Sequence, residues 1–245
     1  MKRFAILTAS AVGLFFTLLL VSILFSVNLG NFLDQLLSEE VVYSVKLSLV
    51  TSLISTAVVL PLSVFTAYAL VRFKFPLRGF LKVVLDLPMF FPELLIGLLL
   101  LLSLGRFNGI VFTPYAVVLA QIAVSLPFAV KVLYTSFSQV DYRLEMVARS
   151  LGYSFAETFL KVTLPIAKVG VLSALVVAFA RSFGAFGAVL VFAGGVYMKT
   201  ETLPVGIFLN ISYGNLERAT VMGLILMVVS LVCLLLFETF AGKNK

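Results

Sequence analysis

Three stretches of this chain, 4–27, 47–71 and 110–130, run without one charged residue. A helix needs about 20 predominantly apolar residues to cross the hydrocarbon core of a bilayer, and each stretch is at least that long. Only 12% of the 245 residues are charged, against roughly 25% in a soluble domain. A soluble fold with this composition would leave apolar surface in water. The pattern predicts an all-α membrane protein with six transmembrane helices, at 4–27, 44–71, 83–104, 112–137, 166–193 and 218–240, forming one transmembrane domain over 1–245. Lys2 and Arg3 precede the first run as they would in a secretory signal. That run exceeds the usual ~7–15-residue signal core and lacks an obvious small-x-small cleavage site, so it reads as an uncleaved first helix.

The residues that are missing narrow the chemistry. The chain has no histidine, which removes Ser-His-Asp and Cys-His catalysis, histidine metal clusters and histidine proton relays. Its one cysteine, Cys233, lies in an apolar run, so neither a disulfide framework nor a thiolate metal site is available. No Gly-x-x-x-x-Gly-Lys-Ser/Thr loop is present to cradle ATP phosphates. Any nucleotide is therefore expected on a partner, and no cofactor on this chain.

The net charge of +7 is spread over short loops, where it reports orientation and not nucleic-acid binding. Lys and Arg favour the cytoplasmic side of such loops. With both termini inside, that side holds Lys2, Arg3, Arg72, Lys74, Arg78, Lys82, Arg143, Arg149, Lys161, Lys168, Lys243 and Lys245. The opposite side holds Lys46, Arg106, Lys199 and Arg218, and its first loop carries Asp34, Glu39 and Glu40. Both termini are expected in the cytoplasm. In the third span Asp86, Pro88, Pro92 and Glu93 crowd the cytoplasmic half. Either the helix breaks there, as proline favours, or these residues sit at the interface before it begins.

The longest cytoplasmic loop, 141–168, does not have the composition of a linker. Leu144, Val147, Ala148 and Leu151 recur at the spacing of one helix face. Gly152 follows where a helix C-terminus takes left-handed geometry. Ser154 and Glu157 form a capping-box pair, and Leu164-Pro165 ends the second helix, with Pro165 placed in the first turn of the fifth span. Two short helices joined by a glycine turn are predicted over 141–165. Here the chain resembles the permease subunits of ABC importers of the type I fold, whose cytoplasmic motif is Glu-Ala-Ala-x-x-x-Gly-x9-Ile-x-Leu-Pro. Ala148, Gly152, Val162, Leu164 and Pro165 match that spacing. Met146 stands at the motif's glutamate and Val147 at its first alanine, with Glu145 adjacent as a substitute. The resemblance implies that Glu145, Ala148, Gly152, Leu164 and Pro165 couple the chain to an ATPase subunit. It further implies two permease chains with two ATPase chains that hold ATP and Mg, an extracytoplasmic substrate-binding protein, and a multi-pass location in the cell (plasma or inner) membrane.

Arg181 lies inside the apolar fifth span, in Ala180-Arg-Ser-Phe-Gly-Ala-Phe-Gly-Ala188. An arginine at that depth faces a bundle interior, a partner or a water-filled path, and its planar donors suit oxyanions. Helical spacing places Arg181, Gly184 and Ala188 on one side. Arg181 then either borders an anion path or forms a structural ion pair with Glu93 or Glu238. This stretch, with Thr202-Leu-Pro204 beyond it, is similar to the molybdate/tungstate branch of these importers, which has Ala-Arg-x-x-Gly-Glu-Phe-Gly; Ala185 replaces the glutamate. By that resemblance Arg181, Phe183, Gly184, Phe186 and Gly187 are candidates for the pathway or its gate. The sulfate/thiosulfate branch has a similar pattern and is the alternative. A secondary transporter, the reading from another class, would show intramembrane acidic relays and inverted repeats, and neither is evident.

Overall fold

The computed structural model describes residues 1–25, 30–107 and 109–242, and every regular element in them is helical. In chain order these are α1 Lys2–Phe25, α2 Phe32–Leu36, α3 Glu39–Arg72, α4 Arg78–Asp86 and α5 Glu93–Leu104. There follow α6 Pro114–Gln139, α7 Tyr142–Ser150, α8 Phe155–Thr158, α9 Leu164–Ile166 and α10 Lys168–Phe183, then α11 Gly187–Ala193, α12 Leu203–Ser212 and α13 Leu216–Gly242. Residues 26–27 of the first expected span, and Lys243 and Lys245 of the cytoplasmic set, lie outside the described residues.

Four of these helices, α1, α3, α6 and α13, are long and apolar enough to cross a membrane unbroken. Two bent pairs bring the total to the six expected when each is counted as one span. The segments Arg78–Phe90 and Glu93–Leu104 meet at 118°, and Phe155–Ile166 and Lys168–Phe183 meet at 78°. The helix therefore does break in the third expected span, and α5 starts at Glu93. Pro88 sits in a 3-10 turn over Leu87–Phe90, and Pro92 takes the N-cap position of α5, where a missing amide costs nothing.

Two expectations for the fifth span need correction. A continuous helix over 166–193 does not form. Pro165 lies in α9, ahead of a bend at Ala167, and α10 stops at Phe183 with Gly184 as its C-cap. Arg181, Gly184 and Ala188 consequently do not share one helix face, because Ala188 belongs to α11. The short helix α12 lies in what was read as the loop between the last two spans. Its first amide, Leu203 N, donates to Ser48 Oγ at 2.7 Å, and Pro204 occupies its first turn.

Three packing clusters hold the bundle together. Leu70, Leu133, Phe137 and Ala174 join α3, α6 and α10. Ile96, Val117, Ala188 and Phe192 join α5, α6 and α11. Val41, Phe183, Leu203 and Met222 join α3, α10, α12 and α13. Between α3 and α6 runs a polar seam inside otherwise apolar sequence. Gln121 accepts from Ser55 Oγ at 2.9 Å and donates to Thr51 Oγ1 at 3.1 Å. Small hydroxyl residues let membrane helices approach closely and hydrogen-bond across the contact. Gly97 permits the same closeness between α5 and α11, since a Cβ there would lie 2.8 Å from Val191 Cβ and 2.9 Å from Ala188 O. Neither neighbour is the end of a flexible chain. Gly97→Ala is expected to lower stability by about 1–3 kcal/mol, read as a lower melting temperature of the detergent-solubilised protein; Gly79→Ala, whose Cβ meets no atom within 4 Å, should leave that temperature unchanged.

Candidate coupling loop and substrate path

The loop expected over 141–165 is a rigid element. Asp141 caps α7 by accepting from Arg143 N at 2.9 Å. At the other end Gly152 takes φ +93°. Its N–H reaches Arg149 O at 3.0 Å, while Tyr153 N–H reaches Ala148 O at 3.2 Å, the paired closure of a Schellman motif. Ser154 and Glu157 form the reciprocal capping box that starts α8. Hydrogen bonds from the Ser154 backbone and hydroxyl, with Lys161 nearby, hold the Glu157 carboxyl down to about 2, so the cap stays ionised across physiological pH. Beyond α8 one π-helical turn, Phe159–Thr163, leads into α9.

The structure sorts the motif residues by the side they face. Ala148 is 5% exposed, whereas Leu144, Val147 and Leu151 are 46%, 59% and 76% exposed. Their shared face exists as expected, but it points away from the chain, with Ala148 at its inner edge. Gly152 and Pro165 are exposed, and Leu164 is half-buried.

Glu145, expected as the substitute contact for the ATPase, is turned inward and 3% exposed. Its Oε1 accepts from Arg72 Nε at 2.8 Å and from Thr163 Oγ1 at 2.8 Å, and Tyr68 OH lies 3.4 Å from Oε2. Arg72 also donates to Val140 O at 2.8 Å. Around this pair the rings of Tyr68, Phe137, Phe155 and Phe159 pack edge-on or tilted at 4.7–6.3 Å. Glu145 thus ties α7 to the end of α3 and to the turn before α9. The signal in the sequence was a glutamate one position off the motif, on the face of α7 that carries Ala148; Arg72, at the end of an uncharged run, had been read only as a marker of orientation.

A second cluster lies near the middle of α6. The Arg181 guanidinium stands 4.1 Å from the centroid of the Phe128 ring and donates from Nη2 to Glu93 Oε1 at 3.3 Å. Glu93 Oε2 accepts from Phe186 N at 3.0 Å and Gly187 N at 3.2 Å. Of the two partners considered for Arg181, the structure selects Glu93. Glu93 opens α5 and Gly187 opens α11, so one carboxylate joins the breaks in the third and fifth spans at a single depth. Broken helices persist in a membrane only where protein or a watery cavity satisfies the freed backbone, and Glu93 does so here. Gly187 has no room for a side chain, since a Cβ would sit 2.9 Å from Leu94 N and 3.1 Å from Glu93 Cβ. Arg181 Nε is buried and has no acceptor among the described residues.

The aromatic candidates separate. Phe183 is 3% exposed and stacks on Phe179 at 5.6 Å, inside the packing against α3 and α12. Phe186 stays half-open against Phe208 at 5.3 Å. Gly184 is exposed at the break. Glu93 had been noticed in the sequence as a crowding charge and as one of two partners for Arg181, and its position after Pro92 was the available sign that a helix begins there.

Residues 59–243 match the family described as binding-protein-dependent transport system inner membrane component. The molybdenum transport system permease protein ModB of Haemophilus influenzae is 33% identical over 216 residues, covering 82% of this chain and 94% of its own. The molybdate/tungstate transport system permease protein WtpB of Methanocaldococcus jannaschii is 30% identical over 253 residues, covering 99% and 100%. Among solved structures, a bacterial ABC transporter that imports the acidic polysaccharide alginate superposes with a TM-score of 0.76 over 98% of this chain and 94% of that one. Its sequence identity is 16%, so the shared property is the fold.

Glu145→Ala would strand the Arg72 guanidinium without its anion, and both side chains are buried, 8% and 4% exposed. Breaking a buried pair in this way costs about 3–5 kcal/mol. Thermal unfolding should register that loss, whereas Met146→Ala on the exposed side of α7 should stay within about 0.5 kcal/mol of the parent.

Proposed function

The chain belongs to the family of binding-protein-dependent transport system inner membrane components, and from that premise we propose that it is the permease subunit of an ATP-driven importer for molybdate or tungstate. The relatives that match it over most of its length carry those substrates in their names. Two copies of this permease pair with two ATPase subunits, which hold ATP and Mg, and a loaded extracytoplasmic binding protein delivers the anion. Both termini and the 141–165 loop face the cytoplasm, in keeping with the distribution of Lys and Arg.

The observation that carries this reading is the outward apolar stripe of Leu144, Val147 and Leu151 on a helix whose opposite side is anchored by Glu145. A helix that exposes its apolar residues to the cytoplasm needs a partner surface, and a groove on the ATPase provides one. Gly152 and the capping box keep the stripe in one orientation. Movement of the ATPase pair is then passed along two routes. Glu145 and Arg72 lead into α3; α8, the π turn and α9 lead into α10, which carries Arg181. Ala148, Leu164 and Pro165 serve the coupling by packing and by setting the bend, and Glu145 serves as an anchor.

Arg181 lies at the depth where the spans break, with a side chain 40% exposed and one ion pair of 3.3 Å. Glu93 engages a single nitrogen, so other guanidinium donors are available to a tetrahedral oxyanion. Phe186, Gly184 and Gly187 border the same break, and of the two phenylalanines Phe186 is the candidate gate. Phe183 supports them from the packed side.

Two measurements test this function. In a reconstituted permease–ATPase complex, molybdate-loaded binding protein should raise ATP hydrolysis, and Leu151→Asp should release the ATPase from a permease that still folds. Arg181→Gln should cut vesicle uptake of molybdate at least tenfold, about 1.4 kcal/mol or more, while leaving ATPase association intact. Unchanged uptake would remove Arg181 from the pathway, and stimulation by sulfate-loaded but not molybdate-loaded binding protein would reassign the substrate.

A further inference from the structure

A cavity of about 250 Å³ opens at the end of the bundle opposite the coupling loop, between the first turns of α3 and α13 and the short helix α12. Glu201, in the turn that precedes α12, lines it. That side chain is 3% exposed, yet among the described residues no hydrogen bond or ion pair reaches its carboxylate. The backbone on either side is fixed. Thr200 Oγ1 donates to Ala193 O at 2.7 Å and accepts from Val196 N at 2.8 Å, and Leu203 N is held by Ser48 Oγ at 2.7 Å. Gly206 makes the space, because a Cβ there would lie 3.0 Å from Glu201 Oε1.

The other charges in the cavity satisfy each other. Arg218 Nη1 donates to Glu40 Oε2 at 2.5 Å and its Nε to Gln35 Oε1 at 3.0 Å, while Asn210 Nδ2 donates to Glu40 Oε1 at 2.9 Å. With Glu40 and Arg218 cancelling, Glu201 leaves one uncompensated negative charge facing an open space. Burial, and then the charge of Glu40, push its carboxyl up to about 7, with Arg218 acting in the opposite direction. An ionised carboxylate without a partner is costly to bury, so the resting protein gives up stability to keep it.

A cation would compensate that charge. A bare metal ion fits poorly: among the described residues no group of three or more His, Cys, Asp or Glu side chains could hold one, and the volume is several times the ~30 Å³ share of one water. An ammonium or guanidinium on an alkyl chain suits the space better. Tyr197 and Tyr213, 64% and 77% exposed at the rim, offer ring faces for such a cation and its stem. We propose that this cavity receives a basic side chain of the extracytoplasmic binding protein, with Glu201 as its counter-charge. The proposal rests on the function and orientation given above. It adds a specific seat through which arrival of the binding protein is felt at α3, α12 and α13.

The test uses the complete permease–ATPase complex in nanodiscs, with molybdate-loaded binding protein as the probe. Glu201→Gln, which keeps the shape and removes the charge, should weaken binding-protein affinity by ~10-fold or more and flatten its dependence on salt. ATP hydrolysis without the binding protein should not change. In the wild type, affinity should fall as pH drops from 8 to 5.5, because the carboxylate takes up a proton through about 7. Removing the ionisable group should abolish that dependence. Folding stability should move the other way. An acid whose folded value is raised loses stability as pH climbs from its ordinary value through the raised one, so Glu201→Gln should melt higher than wild type at pH 8 and equally at pH 4. Equal affinity and equal salt dependence in the two proteins would overturn the seat while leaving the proposed function in place. A wild-type complex that ignores every loaded binding protein would refute the function, and the seat with it.

Discussion

The buried contact of Glu145 with Arg72 and Thr163 makes the 141–165 loop a part of the helical bundle. A loop of two short helices hanging on flexible joints would absorb any push applied to its tip. Here the tip is closed by a Schellman motif and a capping box, and its root is held by a charged pair inside an aromatic cage. Ionised hydrogen bonds of about 2.8 Å in a nearly water-free setting are strong in geometry and costly to leave half made. The pair therefore stays formed, and α7 and the end of α3 move together.

From that anchor the two broken spans follow in sequence. The loop leads through a π turn and a 78° bend into α10, and α10 ends at the break beside Arg181. Glu93 then crosses to the partner break, where it satisfies the first amides of α11 and holds the arginine. A continuous helix at either place would leave no backbone to satisfy. The discontinuities are tolerated because one carboxylate serves both, and the same carboxylate holds the Arg181 guanidinium beside them. At the far end, Glu201 has the opposite character: a buried carboxyl on a fixed backbone that no hydrogen bond or ion pair reaches among the described residues.

Much of this was legible in the sequence, for identifiable reasons. The uncharged runs marked α1, α3 and α6, since bilayer thickness allows few alternatives for such lengths. The spacing from Ala148 through Gly152 to Pro165, with Ser154 and Glu157, specified caps and turns that depend on local backbone chemistry alone. The inward turn of Glu145 depended on Arg72, 73 residues earlier, and such a pairing leaves no local periodic trace. The break after Phe183 was missed because Gly184-Ala-Phe-Gly187 is apolar and carries no proline, so it read as continuing helix. What ends the helix is Glu93, competing for the amides of Phe186 and Gly187 from another span. Helix α12 was hidden by its length, being too short to span and too apolar to resemble a surface loop.

If the Glu145–Arg72 tie holds, the 141–165 loop moves as one body with the helical bundle and does not flex against it. Spin labels at Ser150 on α7 and Lys74 beyond α3, in the assembled complex, measure this by double electron–electron resonance. One narrow Ser150–Lys74 distance is expected, the same in the nucleotide-free and ATP-trapped states, while the distance between the two Ser150 labels of paired permeases changes. A Ser150–Lys74 distance that broadens or shifts on ATP binding would contradict it, since the loop would then be yielding where the Glu145–Arg72 tie is meant to hold.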